Sequence, residues 1–362
     1  MRYLFFTNTP AHVHLYKHAV RRLEAAGHDV LVLGRDYGVT VPLLSYYELP
    51  YRVYGKCGPS KNSLLRNLPS QFATIFREAR RFDPDLIFGM GSYAAFAGAV
   101  SRTPVVLILD SEPTNIDHFV SRPFATAILT PRAFHKDLGA KHVRFAGFKE
   151  TAYLHPDVYA PNPDIRELLG LGPTERFAIV RFNAFGSHHD VGHAGFSPAQ
   201  RRELIEALAA HVTVFVSDES EAMEFDTLPA RRFALHPGLL HDALAAADLL
   251  VADTQTMVTE AALLGTPAIR SNSWVGADDM GNFTDLAAHG LIYNIRAFDD
   301  VLDTATALVA DEAAKDEWAE KRDAYVADNV NLTDLIVSVA EQLGDTTGLD
   351  LTADITPVRP AA

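Results

Sequence analysis

The sequence predicts an α/β protein made of two doubly wound, parallel-sheet domains. Short apolar runs rich in Val, Ile, Leu and Phe alternate with amphipathic helical patterns along most of the chain. That alternation marks parallel strands covered by helices on both faces. It breaks once, over residues 147–163, where Pro156, Pro161 and Pro163 fall without periodicity and read as a linker. A chain of 362 residues, 48% of them hydrophobic, exceeds what one core usually organises, so two cores are expected.

The first domain is taken as residues 1–150. Residues 2–6 form its first strand, residues 14–26 a helix closed by Gly27, and residues 30–33 the second strand. Tyr, Pro and Gly crowd residues 34–59, which read as loop. A helix over 64–82 leads to a strand at 86–88, a helix at 94–101 and a strand at 105–109; short strands at 127–129 and 143–145 finish the sheet. The second domain, residues 164–330, restarts with a strand at 177–182, a helix at 198–210 and strands at 212–216 and 232–235. A helix at 239–246, a strand at 249–252, a helix at 257–264 and a strand at 268–270 follow. Residues 299–343 read as helices, the last packing back on the first domain, and residues 331–362 as a terminal helix with a tail frayed from 344. No repeat of solenoid length is present.

The net charge of -14 lacks a compensating basic face, which argues against nucleic acid as a partner. Most of the 32 basic residues are arginine and acids are plentiful. This balance suits a halophilic, salt-loaded cytoplasm, where the Debye length shrinks to roughly 3 Å at 1 M; the alternative is an ordinary acidic enzyme. Cys57 is the only cysteine, which excludes a disulfide framework and a thiolate metal site. The first strand begins at residue 2 and no apolar run has membrane-span length, so a cytoplasmic location is expected, with peripheral membrane contact left open. Nothing in the sequence fixes an oligomeric state.

Residues 253–267 carry the most chemistry. The apolar run Leu249-Leu250-Val251-Ala252 ends at Asp253, and Thr254, Gln255 and Thr256 open a helix that stops at Gly265. A polar loop at a strand's carboxyl end, feeding a helix N-terminus, is where open α/β sheets bind anions. The loop amides with the Thr254 and Thr256 hydroxyls suit a diphosphate, and Glu260, one turn on, suits a ribose diol. The alternative is an ordinary N-capped helix with a surface Glu.

Four further constellations stand out. Asn183-Ala184-Phe185-Gly186-Ser187-His188-His189-Asp190 follows the first strand of the second domain. Gly186 permits positive φ, Ser187 and the amides suit phosphate, and His188 or His189 can donate to a phosphate oxygen. A metal site with His193 is weighed and set aside, because adjacent side chains diverge. His12 and His14 lie after the first strand, where a neutral imidazole can deprotonate a hydroxyl or simply cap the helix. Glu112, in Asp110-Ser111-Glu112-Pro113, is a second acid/base or a strand-end cap. His236-Pro237-Gly238 is a nucleoside-base contact or a turn fixed by Pro and Gly.

Two doubly wound domains with this loop in the second resemble the GT-B architecture, which implies two Rossmann-type domains facing a central cleft. Residues 253–267 are similar to the donor motif of GT-B glycosyltransferases and non-hydrolysing UDP-GlcNAc 2-epimerases, in which the Glu at the position of Glu260 holds the ribose. Asp83-Pro84-Asp85-Leu86-Ile87-Phe88-Gly89-Met90-Gly91-Ser92-Tyr93 resembles a segment of the peptidoglycan N-acetylglucosaminyltransferase, which adds Gly91 and Ser92 to the candidates. His12, followed by a helix and Gly27, matches that enzyme's reaction-centre His in order and spacing, and is preferred over His14. Across nearly its whole length the chain resembles domain of unknown function family 354, through residues 7–14, 27–36, 110–112, 148–154 and 181–190.

Departures bear on the reaction. Epimerases carry a catalytic Asp where this chain has Gly91-Ser92, and the segment after their donor motif is replaced by Arg270-Ser271-Asn272-Ser273-Trp274. Both differences favour transfer over epimerisation. Thr7-Asn8-Thr9-Pro10 replaces the transferase's glycine-rich first loop. The resemblance therefore implies a glycosyltransferase moving a sugar from a nucleotide-diphosphate donor, UDP-linked by preference, to a glycan or lipid-linked acceptor. His12 is then the base for an inverting attack, with no metal and no tightly bound cofactor. A sugar-nucleotide epimerase or hydrolase, and a non-catalytic nucleotide-sugar-binding protein, are the alternatives.

Overall fold

The structure is a computed structural model that describes residues 1–57, 61–183, 195–219, 223–276 and 279–345. The chain divides into two compact units, Met1–Tyr159 with Asp328–Ala362, and Ala160–Ala327.

The first unit holds a seven-stranded sheet in which every pairing is parallel. Its strands are β1 (Arg2–Thr7), β2 (Asp29–Asp36), β3 (Tyr51–Lys56), β4 (Leu86–Gly89), β5 (Val105–Ile108), β6 (Ala127–Pro131) and β7 (His142–Phe145), in the order β3-β2-β1-β4-β5-β6-β7. Leu4, Phe6, Ile87 and Leu107 are fully buried, as expected of strands covered on both faces. Strand order reverses between β1 and β4, which opens a crevice at their carboxyl ends. Helices α1 (Pro10–Ala25), α2 (Thr40–Tyr46), α3 (Lys61–Phe82), α4 (Ser92–Ser101), α5 (Asn115–Ser121) and α6 (Thr151–Leu154) connect and cover these strands.

Residues 34–59, read as loop, contain α2 and β3. Their Tyr and Pro content hid the buried anchors Leu43, Leu44 and Tyr54. Helix α1 begins at Pro10 rather than residue 14, with Pro in its first turn, a position where the missing N–H costs nothing. Residues 151–154, read as linker, form a buried turn of helix.

The second unit carries a six-stranded parallel sheet in the order β10-β9-β8-β11-β12-β13. These strands are β8 (Phe177–Phe182), β9 (Thr213–Asp218), β10 (Arg231–Arg232), β11 (Leu249–Ala252), β12 (Ala268–Arg270) and β13 (Ile292–Asn294). Order reverses between β8 and β11. Helices α7 (Ile165–Leu168), α8 (Pro198–Ala209), α9 (Leu240–Ala246), α10 (Thr256–Leu263), α11 (Gly281–Ala288), α12 (Phe298–Ala310) and α13 (Ala314–Val326) complete the unit. Helix α8 starts with a Ser197–Gln200 capping box, which satisfies two orphan donors reciprocally.

Helix α14 (Leu332–Asp345) belongs to the first unit. There the Tyr3 hydroxyl donates to the Ala340 carbonyl at 3.1 Å and the Thr333 hydroxyl to the Ala152 carbonyl at 2.7 Å. No helix among the described residues is long and apolar enough to cross a membrane.

Candidate functional site

In the first unit, polar groups gather at the crevice between β1 and β4. Asn8 continues from β1 and its side-chain amide donates to the Met90 carbonyl at 3.4 Å, across the crevice. Its side-chain oxygen accepts from the Tyr54 hydroxyl at 2.8 Å, and its carbonyl from Arg35 Nε at 3.1 Å. The Asn8 backbone N–H donates to Nδ1 of His12 at 3.2 Å. His12 is thus in the first turn of α1, half-buried, with its ring folded back on the preceding loop. Burial holds its pKa down at about 3; Asp110 opposes that shift, and Lys149 and Arg35 add to it.

Beside it lies a charged cluster that sequence reasoning missed. Lys149 pairs with Asp110, which follows β5, and with Glu150 at 2.9 Å. Burial opposes the ammonium, but the two carboxylates outweigh it and raise its pKa. The Tyr16 hydroxyl is fully buried with no hydrogen-bond partner among the described residues, and burial together with Asp110 raises its pKa. The Thr7 hydroxyl, ending β1, is also buried without a partner among the described residues. The signal for the cluster is a Lys-Glu pair between Phe148 and Thr151, inside a stretch that prolines made resemble a linker.

Gly91 and Ser92 sit at the N-terminus of α4, but a protein carboxylate already occupies that position. Asp117, from α5, accepts from the Ser92 N–H at 3.1 Å. Gly91 has φ +94°, and a Cβ there would collide with the same carboxylate. Glu112 Oε1 accepts from the His135 N–H at 3.3 Å, tying it to the loop after β6.

In the second unit, the crevice between β8 and β11 is bridged by Asn183 and Asp253: the Asn183 N–H donates to Asp253 Oδ1 at 2.6 Å. Asp253 is 1% exposed and its Oδ2 has no hydrogen-bond partner among the described residues. Burial pushes its pKa up to about 7, against the pull of the Asn183 N–H, the Arg201 guanidinium and the Phe196 N–H. Arg201, on α8, stacks on Phe182 at 4.6 Å, lies 3.8 Å from Asp253 Oδ2, and donates to the Asn183 carbonyl at 3.2 Å. The Asn272 side chain donates to the Asp253 carbonyl at 3.0 Å.

The Thr254–Thr256 loop follows. The Thr254 hydroxyl is buried with no partner among the described residues, and α10 starts after Gln255 without a side-chain cap. Thr254, Gln255 and Thr256 are half-buried. Glu260 is buried, and its Oε1 lies 3.0 Å from Nε2 of His241 on α9. His241 carried no sequence motif. His236 is exposed, and its Nδ1 accepts from the Gly238 N–H at 3.1 Å, the turn-fixing arrangement. Gly186, Ser187 and His188 lie outside the described residues. Among the described residues no group of His, Cys, Asp and Glu could hold a metal ion.

Each unit therefore gathers polar side chains at the reversal point of a parallel sheet. Two such doubly wound units along one chain define the GT-B fold. The chain superposes on UDP-GlcNAc 2-epimerase from Neisseria meningitidis, solved with UDP-GlcNAc, with TM-score 0.66 at 10% identity, over 94% of this chain and 100% of that one. It also superposes on the spinosyn forosaminyltransferase with TM-score 0.65 at 14% identity, over 95% and 100% of the two chains. By sequence it is 27% identical over 276 residues to the UDP-N-acetylglucosamine–N-acetylmuramyl-(pentapeptide) pyrophosphoryl-undecaprenol N-acetylglucosamine transferase of Burkholderia ambifaria, covering 72% of this chain and 73% of that protein. An uncharacterised protein of Methanocaldococcus jannaschii is 23% identical over 275 residues, covering 73% of this chain and 79% of its own. Residues 3–339 match the family described as protein of unknown function DUF354, and the chain belongs to that family.

Proposed function

We propose that this protein is a glycosyltransferase that takes a sugar from a nucleotide-diphosphate donor, UDP-linked by preference, and passes it to a glycan or lipid-linked hydroxyl. The observation that carries this reading is the uncapped N-terminus of α10, together with the partnerless Thr254 hydroxyl at the β8–β11 crevice. Amides at a helix start without a side-chain cap and an unsatisfied hydroxyl suit a diphosphate. An Asp253 pKa near 7 lets that carboxyl stay largely neutral at mildly acid pH, which lowers its repulsion of an anion there. Glu260 is the candidate for the ribose hydroxyls, held by His241. Names of the relatives support transfer: the Burkholderia protein is an N-acetylglucosamine transferase and the spinosyn enzyme a forosaminyltransferase. A leaving diphosphate held by amides and a helix dipole needs no metal.

The test is a thermal-shift panel of UDP-, GDP-, dTDP- and CMP-sugars in molar KCl, on the wild type, Thr254→Val and Glu260→Gln. Ligand at 100 times its dissociation constant stabilises a fold by about 2.7 kcal/mol. One nucleotide should raise the melting temperature, and both variants should weaken that response. Indifference to all four would end the donor-site reading.

One observation favours a second reading, a sugar-nucleotide epimerase or hydrolase. The Gly91-Ser92 segment lacks its own carboxylate, but the Asp117 carboxylate lies on the Ser92 N–H. An acid/base group is therefore at that loop after all. Conversion of UDP-GlcNAc without any acceptor, abolished by Asp117→Asn, would establish this alternative; inert UDP-GlcNAc would remove it.

A further inference from the structure

The position of His12 predicts a general base, and its surroundings fit a different task. Its Nδ1 faces the Asn8 backbone N–H at 3.2 Å. A backbone amide only donates, so Nδ1 must offer its lone pair. A neutral imidazole with an accepting Nδ1 carries its proton on Nε2. That nitrogen has no hydrogen-bond partner among the described residues. A base would need the lone pair on Nε2 and the proton on Nδ1, which would set two N–H groups against each other. Becoming an imidazolium has the same defect.

The Asp110 carboxylate favours a charged ring but is itself paired with Lys149, and the other groups around the ring disfavour one. The first turn of α1 presents the positive end of a helix dipole, Arg35 reaches the same loop through the Asn8 carbonyl, and the Lys149 ammonium is nearby, paired with Asp110 and Glu150. Cations and a helix start disfavour a charged ring and favour a negatively charged oxygen beside it.

We infer that His12 is a neutral hydrogen-bond donor, through Nε2, to a ligand oxygen that carries or develops negative charge, and is not the general base. A neutral imidazole at a helix N-terminus is a known way to polarise such an oxygen. The ring keeps its proton throughout, so no proton transfer is assigned to it. The ligand half of this inference rests on the transferase reading; the proton position does not.

The decisive experiment labels the full-length chain with [15N]histidine and records two-bond ring correlations from about pH 5 to about pH 8, the span in which an unperturbed His titrates. His12 signals are identified by their loss in His12→Gln. The Nε2-protonated neutral pattern is expected across the whole range. An Nδ1-protonated pattern, or a midpoint within the range, would overturn the inference whatever the protein binds. UDP release from UDP-GlcNAc supplies the second arm. Gln places an amide donor near the Nε2 position, so His12→Gln should stay close to wild type while His12→Ala falls roughly 100-fold, the effect of deleting one such donor. Equal loss in both variants would overturn the donor role. Absence of UDP release even in wild type would remove hydrolysis and leave the transferase reading to the nucleotide-sugar panel, and the ring correlations would still decide the proton position.

Discussion

His241 Nε2 and Glu260 Oε1 lie 3.0 Å apart, with both side chains buried. A carboxylate accepts and cannot donate, so the His241 N–H points at Glu260 and fixes its orientation between α9 and α10. Removing the donor takes one charge-assisted hydrogen bond from a buried carboxylate, at a cost of about 1.5–3 kcal/mol. His241→Ala should therefore lower the urea midpoint, and His241→Gln, which keeps an N–H, should lower it less. If Glu260 meets the ribose, both variants also weaken UDP binding in calorimetry. Unchanged UDP affinity in a folded His241→Ala would separate this pair from the ligand.

Arg270 is fully buried at the end of β12 and makes a bidentate pair with Asp279, at 2.6 and 3.0 Å, beneath a Phe283 ring 3.7 Å from the guanidinium. Breaking a buried pair by one partner strands a charge and costs about 3–5 kcal/mol, whereas replacing both with apolar groups is often neutral. Asp279→Ala should be severely destabilised. Arg270→Met with Asp279→Leu should recover most of the loss. A double variant as weak as the single one would show that the pair contributes more than its own compensation.

Gly265 ends α10 at φ +72°, and a Cβ there would lie 3.0 Å from the Ala319 backbone Cα. Left-handed backbone costs a non-glycine residue roughly 1–2 kcal/mol, and the neighbour is main chain that cannot swing aside. Gly265→Ala should lower the denaturation midpoint by at least that amount. An unchanged midpoint would mean that α13 shifts at little cost.

Strands were legible where the residues themselves are apolar. The runs 2–6, 105–109, 177–182 and 249–252 are buried on both faces, so composition alone marks them. β3 was missed because only Tyr54 in it is well buried, and Arg52 and Val53 face solvent. At the candidate site, the Thr254–Thr256 loop was readable because its strand, loop and helix are contiguous. His241, Asp117 and the Asp110–Lys149–Glu150 cluster were not, because each meets its partner through the fold rather than through spacing. His12 was found for its position, but its proton depends on one backbone amide, which no pattern in the sequence reveals.

Asp253 contributes a pH dependence to the second unit. Its ordinary pKa is 3.8, and burial raises it to about 7 in the folded chain. Between those values the folded state keeps a proton that the unfolded chain has released, so stability falls as pH rises. Below the window the group contributes no loss, and above about 7 the loss is complete. The Arg201 guanidinium, 3.8 Å from Oδ2, moderates the effect, while Glu219 adds to it. Asp253→Asn keeps an acceptor for the Asn183 N–H and carries no charge. Urea midpoints at pH 5 and pH 8 should therefore diverge less in Asp253→Asn than in wild type, by no more than about 3 kcal/mol from linkage over that interval. Equal divergence in both proteins would assign the pH dependence to other groups and leave Asp253 ionised in the folded state.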